Sequence, residues 1–431
     1  MHYEESLAYI QQLGWSQKTA GLQRMREITA LLENPQDHLS IIHVAGSNGK
    51  GSVCAMLSAV LSQAGYHVGL FTSPHLIDFR ERIQLDGKMI TKKDFVRLFD
   101  RVFSFSQKMS EPLTTQEMTT AIALQYFSEK KPDLVILEVG MGGERDSTNV
   151  IGKPLVSVIT NLSLDHTEYL GNRLQDIAQA KAGIIKKNRP VVSYDVPESA
   201  FQVILKVARE KNAPLYRVDR SKISFLAHSL KGQSFSIHLD QEALCFDLAL
   251  LGRHQVYNAA TTFLTLKVLE KEGIKVPLSS IQKGFQTVKW PGRLERIEKN
   301  QPVILDGGHN PQGALAMKDF LADYFPGQKV NFLFAMFKDK NIEETISILM
   351  PYAQSFACLT ANHPRALEKE KLVSLIRQAG GEARAFSSLS EAIEVLRQRK
   401  EPMIIFGSLV LAGETLALKK ARGGVLMTGK K

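Results

Sequence analysis

The stretch "HVAGSNGKGS", His43 to Ser52, sets one lysine among three glycines directly after an apolar run. Gly46, Gly49 and Gly51 allow close backbone approach, and a helix beginning near Ser52 offers free N–H groups and a positive dipole end to an anion. Lys50 adds a mobile cation suited to β- and γ-phosphates. A ligand-free strand-to-helix turn is the plainer reading, but a lysine among glycines does nothing for a turn, so phosphate binding is preferred. The arrangement differs from the common loop G-x-x-x-x-G-K-[ST]: Val44 stands at its first glycine, and Gly51 rather than a hydroxyl residue follows Lys50. Further polar clusters stand just past apolar runs: "SPH" at 73–75, "EVGMGG" at 138–143, "NLSLDH" at 161–166 and "DGGHNP" at 306–311. Glu138 is the only charge in its run after Asp133. Phosphoryl transfer needs a hard cation, so magnesium ligation is preferred for Glu138 over a bare surface carboxylate.

Two further residues follow from helical phase and capping. In "LQDIAQAKAGII", Ile177, Lys181 and Ile184 share one face, which directs the Lys181 amine toward the apolar side, where burial disfavours its charged form. A neutral buried amine can add carbon dioxide to give a carbamate; the alternative is a lysine that snorkels to solvent. Asn310-Pro311 reads as an N-cap followed by proline at the first helical position, which puts a helix N-terminus beside Asp306 and His309.

These residues need a scaffold, and apolar runs alternating with amphipathic stretches supply an α/β one. Strands are expected at Ser40–Val44, Val68–Thr72, Leu134–Val139, Leu155–Thr160 and Pro190–Tyr194. A second series is expected at Val303–Leu305, Val330–Phe334, Ser355–Leu359 and Met403–Phe406. A helix is expected from the face formed by Leu22, Met25, Ile28, Leu31 and Leu32 before Pro35. "KWPGRLERIEKN", Lys289 to Asn300, reads as the linker between the two series. At 431 residues two domains are expected. Residues 1–295 form a P-loop-type mononucleotide-binding domain with a mostly parallel sheet, and 296–431 a smaller Rossmann-like α/β domain. In open parallel sheets ligands bind past the carboxyl ends of the strands, so the polar clusters are expected to share a cleft.

The formal charge of +10 is dispersed, with no dense basic tract outside the terminal "GKK". Small polyanionic substrates are therefore preferred over nucleic acid or a membrane surface as the partners it serves. "MHYEESLAYI" lacks a basic then apolar leader pattern, and no run approaches a membrane span, so a cytoplasmic protein is expected. Cys54, Cys245 and Cys358 are odd in number and far apart, as buried thiols rather than disulfides would be.

"HVAGSNGKGS" resembles the H-V-x-G-T-N-G-K-G-S loop of folylpolyglutamate synthases, a family within the ATP-dependent amide ligases that include the Mur ligases. The resemblance continues through "SPHLIDFRERI", "LEVGMGGERDSTNV", "DHTEYLG", "AKAGIIK", "GRHQVYNAA", "WPGRLE", "LDGGHNPQG" and "FGSLVLAGE". It implies an ATP- and Mg2+-dependent ligase that adds L-glutamate to the γ-carboxylate of a reduced folate, working as a monomer. Dihydrofolate synthase activity, alone or alongside, is the nearest alternative, followed by a Mur-type peptide ligase. A nucleotide-dependent switch is disfavoured by the loop and by the absence of an N-K-x-D element. By resemblance, Asn48, Gly49, Lys50, Gly51, Ser52, Asn258, Arg293 and Asp306 bind ATP, and Ser73, Glu138 and His166 hold magnesium. Lys50, a carbamylated Lys181 and His309 serve catalysis, while His75, Arg82, Arg145 and Asp146 face the substrate. The chain departs at Glu144, where relatives carry arginine in G-G-R-L-D, and at Ala180, where they carry glutamate.

Overall fold

The computed structural model describes residues 2–14, 21–164, 167–239, 242–298 and 301–426. The chain forms two compact units that are not consecutive in sequence. One comprises 1–224, 236–246 and 257–288; the other comprises 225–235, 247–256 and 289–431. The fold is two-domain α/β with mostly parallel sheets.

The first unit is built on an eight-stranded sheet. Its strands are β1 (Ile41–Ala45), β2 (Val68–Phe71), β3 (Ile83–Leu85), β4 (Lys88–Met89), β5 (Leu134–Glu138), β6 (Val156–Ile159), β7 (Val191–Ser193) and β8 (Leu215–Arg217). Their order is β4-β3-β2-β5-β1-β6-β7-β8, with β1 parallel to both β5 and β6. β1, β2, β5 and β6 are buried throughout, which is why they read as continuous apolar runs. The helix Gln23–Leu31 forms where its apolar face predicts, with Met25 and Ile28 fully buried.

A three-stranded sheet follows, β9 (Ile223–Ser229), β10 (Gly232–Leu239) and β11 (Glu242–Leu248), in the order β11-β10-β9. The second unit holds β12 (Glu295–Glu298), β13 (Val303–Leu305), β14 (Val330–Phe334), β15 (Ala353–Cys358), β16 (Ala383–Ala385) and β17 (Met403–Phe406). They are ordered β12-β13-β17-β14-β15-β16, parallel except for β12 on β13. Its core packs Phe320, Phe332, Phe334, Phe356 and Phe406.

Three expectations need correction. Cys54 and Cys358 are buried thiols as expected, but Cys245 is exposed on β11. The stretch 289–300 is not wholly a linker, because Glu295 to Glu298 pair with β13 as an edge strand. Its charged composition hides it, since only one face of an edge strand is buried. The helix after the glycine-rich loop begins at Lys50 rather than near Ser52, because Gly49 takes a left-handed φ of 87° and ends the loop there. No helix among the described residues is long and apolar enough to cross a membrane.

Candidate active site

The sheet order brings four of the five polar clusters to adjacent carboxyl ends, those of β2, β5, β1 and β6. The fifth stands at the carboxyl end of β13 in the second unit. The turn from β1 into the helix Lys50–Gln63 is packed from beneath. A Cβ on Gly46 would lie 1.8 Å from Thr160 Oγ1, and one on Gly49 would lie 2.5 Å from Asn258 Oδ1. Only glycine fits these approaches. Thr160 Oγ1 donates to the Asn48 carbonyl at 2.8 Å. Ser47 N–H donates to the Asn161 carbonyl and Asn48 Nδ2 to Ser163 Oγ, so the loop is stitched to the segment after β6.

Lys50 curls back over its own loop, Nζ donating to the carbonyls of Gly46 at 3.0 Å and Ser47 at 3.2 Å. Lys181 is 4% exposed, and its Nζ donates to the same Gly46 carbonyl at 2.9 Å. Two amines therefore converge on one oxygen. Gly143 packs directly on the backbone of Lys181, where a Cβ would stand 2.9 Å from Lys181 Cα, so the loop after β5 is moulded to the helix that carries this lysine.

Glu138, buried at the end of β5, accepts from Ser73 N–H at 3.0 Å. The Ser73–Pro74 bond is cis. His166 lies outside the described residues. No three His, Cys, Asp or Glu side chains among the described residues cluster as an all-protein metal cage. One buried carboxylate, held by the backbone N–H of a serine, suits magnesium, which keeps several waters and is completed by phosphate oxygens. Glu138 and Ser73 therefore fit the ion.

Of the residues assigned to substrate, His75, Arg82 and Asp146 are drawn together while Arg145 is exposed. Arg82 Nε donates to His75 Nδ1 at 3.0 Å. Burial, helped by Arg82, lowers the His75 imidazole to about 4. Asp146 is bound by its own loop, its oxygens accepting from Met141 N–H and from the N–H and hydroxyl of Thr148. Burial raises its carboxyl against those bonds. Thr148 Oγ1 also meets His43 Nε2 at 2.9 Å.

In the second unit Asp306 accepts from Leu294 N–H at 2.9 Å and Gly308 N–H at 2.7 Å. Burial pushes its carboxyl up against the pull of Arg293. The Arg293 guanidinium lies over Gly307, where a Cβ would be 2.8 Å away. His309 Nδ1 meets the Gly307 carbonyl at 3.0 Å. Asn310 caps the helix Pro311–Tyr324 by accepting from Gly313 N–H, as its sequence predicts. His254 joins this group, held at about 4 by burial and by Arg293. Sequence reasoning passed over Thr160, Ser163, Gln116, His43 and His254; none has a local signal, since each matters through a partner distant in sequence.

Residues 44–266 match the family described as the Mur ligase middle domain, and 292–410 the Mur ligase, glutamate ligase domain. The chain is 36% identical over 356 residues to a dihydrofolate synthase/folylpolyglutamate synthase of Bacillus subtilis, covering 80% of this chain and 82% of that one. It is 34% identical over 429 residues to the folylpolyglutamate synthase of Lacticaseibacillus casei, covering 96% and 97%. Among solved structures, Escherichia coli FolC in complex with DHPP and ADP superposes with a TM-score of 0.88 at 28% identity, over 98% of this chain and 99% of that one. Mycobacterium tuberculosis folylpolyglutamate synthase complexed with ADP and AMPPCP gives 0.86 at 30% identity, over 94% and 96%.

Proposed function

Because the chain belongs to the folylpolyglutamate/dihydrofolate synthase family of Mur ligases, we propose that it joins L-glutamate to the γ-carboxylate of tetrahydrofolate at the expense of ATP. The observation that carries this reading is the state of Lys50. Its ammonium bonds only neutral loop carbonyls and pairs with no carboxylate among the described residues, at the N-terminus of the helix Lys50–Gln63. A cation and a helix dipole facing the same way call for a multiply charged anion.

The acceptor carboxylate attacks the γ-phosphorus of ATP, forming an acyl phosphate and releasing ADP. The glutamate amine then adds to the activated carbonyl and loses its proton, and the tetrahedral intermediate expels phosphate. Lys50 leaves its loop carbonyls for the transferring phosphoryl oxygens, where a preorganised charge counts most. Magnesium, when bound by Glu138, Ser73 and His166, supplies charge neutralisation on those oxygens. We assign Asn48, Gly49, Gly51, Ser52, Asn258, Arg293 and Asp306 to the nucleotide and His309 to its phosphates. Lys181 is assigned a carbamate, for which its burial beside Gly46 provides the setting.

Glu144, exposed on the loop after β5, puts an acid where the family pattern carries arginine, and its charge opposes any anionic acceptor beside it, dihydropteroate included. Folylpolyglutamate synthesis by a cytoplasmic monomer is the preferred reading. The test is glutamate-dependent phosphate release with tetrahydrofolate and dihydropteroate offered separately. Faster turnover on tetrahydrofolate is expected. Faster turnover on dihydropteroate would make the chain a dihydrofolate synthase first, and none on either would reopen the Mur-type peptide ligase.

A further inference from the structure

Arg82 closes the 3₁₀ turn Phe79–Arg82 and is 4% exposed, its guanidinium 4.9 Å from the centre of the Phe79 ring. Its Nε donates to His75 Nδ1 at 3.0 Å and a terminal nitrogen to Gln116 Oε1 at 3.4 Å. Both acceptors are neutral, and Glu138 acts on the guanidinium only through space. A guanidinium donates and never accepts, so it dictates how both neighbours are turned. His75 must offer a lone pair on Nδ1 and carry its proton on Nε2. Gln116 must turn its oxygen toward Arg82 and its NH2 away.

That NH2 is buried and has no hydrogen-bond partner. It lies beside Gly140, where a Cβ would stand 3.0 Å from Gln116 Nε2 and 3.3 Å from Asp146 Oδ2. Asp146 is already committed to Met141 and Thr148. A buried donor left without an acceptor is costly, and its orientation here is imposed by a neighbour rather than chosen for its own bonding. His75, Arg82 and Gln116 thus form one largely buried, donor-rich cluster past the carboxyl ends of β2 and β5, two strands and one strand from β1 and its phosphate loop.

We infer that Gln116, turned by Arg82, is a specificity-determining residue whose carboxamide NH2 donates to an oxygen of the acceptor substrate. The inference rests on the folate reading above. It separates from a purely structural role through two substitutions. Gln116→Leu removes both ends of the amide. Gln116→Glu keeps, and by its charge strengthens, the acceptor that Arg82 uses, but deletes the donor and faces the substrate oxygen with an anion.

The experiment measures binding of tetrahydrofolate and of dihydropteroate to the whole enzyme by calorimetry, with KM for ATP and thermal melting alongside. Gln116→Leu is expected to weaken acceptor binding about 10-fold, the worth of one such hydrogen bond, with KM for ATP unchanged within about twofold. Gln116→Glu is expected to weaken it at least as much while melting no lower than the unaltered enzyme. A loss confined to tetrahydrofolate places the oxygen on its glutamyl carboxylates; a loss on both places it on the part they share. If Gln116→Glu binds acceptor like the unaltered enzyme, Gln116 merely supports Arg82 and the inference falls. Unchanged binding in Gln116→Leu overturns it equally. Should Gln116→Leu fail to fold, the glutamate variant carries the test alone. If the unaltered enzyme binds neither acceptor, the folate reading falls and takes this inference with it.

Discussion

Replacing Gly46 by alanine tests whether the phosphate loop is fixed from beneath by Thr160. The added Cβ would stand 1.8 Å from Thr160 Oγ1, 3.0 Å from its Cβ and 3.3 Å from its carbonyl carbon, at a backbone φ of 155°. Rotating the hydroxyl away relieves the first contact only, and breaks its bond to the Asn48 carbonyl, worth about 1 kcal/mol. Overpacking adds about 1–3 kcal/mol and the unfavourable φ about 1 kcal/mol. The total, about 3–5 kcal/mol, corresponds to a fall in Tm of about 10 °C for a unit of this size. The loss falls on the segment that holds the acceptor for both Lys50 and Lys181, so kcat should drop at least about 100-fold through misplacement. Urea unfolding and calorimetric ATP titration of Gly46→Ala, Thr160→Ala and the pair make a double-mutant cycle. Thr160→Ala clears the oxygen and leaves the contacts at 3.0 and 3.3 Å, so the pair should be more stable than additivity predicts by about 1–2 kcal/mol. Strict additivity, or a Gly46→Ala enzyme within about 0.5 kcal/mol of the parent, would refute the reasoning.

Lys50→Ala should cost about 1000-fold in kcat yet leave unfolding within about 1 kcal/mol, because the side chain bonds only two loop carbonyls; circular dichroism melting and steady-state rates read the two separately. Activity should fall when carbon dioxide is exhaustively removed and return with bicarbonate, and mass spectrometry under bicarbonate should find the adduct on Lys181; indifference of the rate to carbon dioxide would remove the carbamate. Acid should destabilise the fold. Burial holds His43 at about 3 and His75 and His254 at about 4, below the ordinary 6.5. The unfolded chain takes up these protons as the pH falls through 6.5 while the folded chain does not, so stability drops toward pH 4 by up to about 1.4 kcal/mol per pH unit for each histidine. Urea midpoints at pH 7.5, 6 and 5 check the sign, and a stability that rises on acidification would contradict it.

Much of this was legible in the sequence because its signals are short-range. The runs at 303–305, 330–334 and 403–406 became β13, β14 and β17 with unchanged limits, since a parallel strand covered on both faces is apolar nearly throughout; the one polar exception, Asn331, is buried and accepts from Ser355 Oγ at 2.7 Å. The Asn310 cap and the inward phase of Lys181 are likewise local, set within one helical turn. Short and edge strands were missed: β3, β4, β8 and β12 bury one face or less and leave no run to read.

The tertiary structure alone decided which residues meet. Nothing near Gly49 says that Asn258 closes over it, nor anything near Gly307 that Arg293 lies across it. Lys50 and Lys181 share the Gly46 carbonyl because the sheet sets β5 and β6 on either side of β1. That order arises from crossovers between parallel strands, and no local periodicity encodes it. Residue types and helical phase therefore determined what chemistry the chain could perform, while strand order determined which side chains stand close enough to perform it.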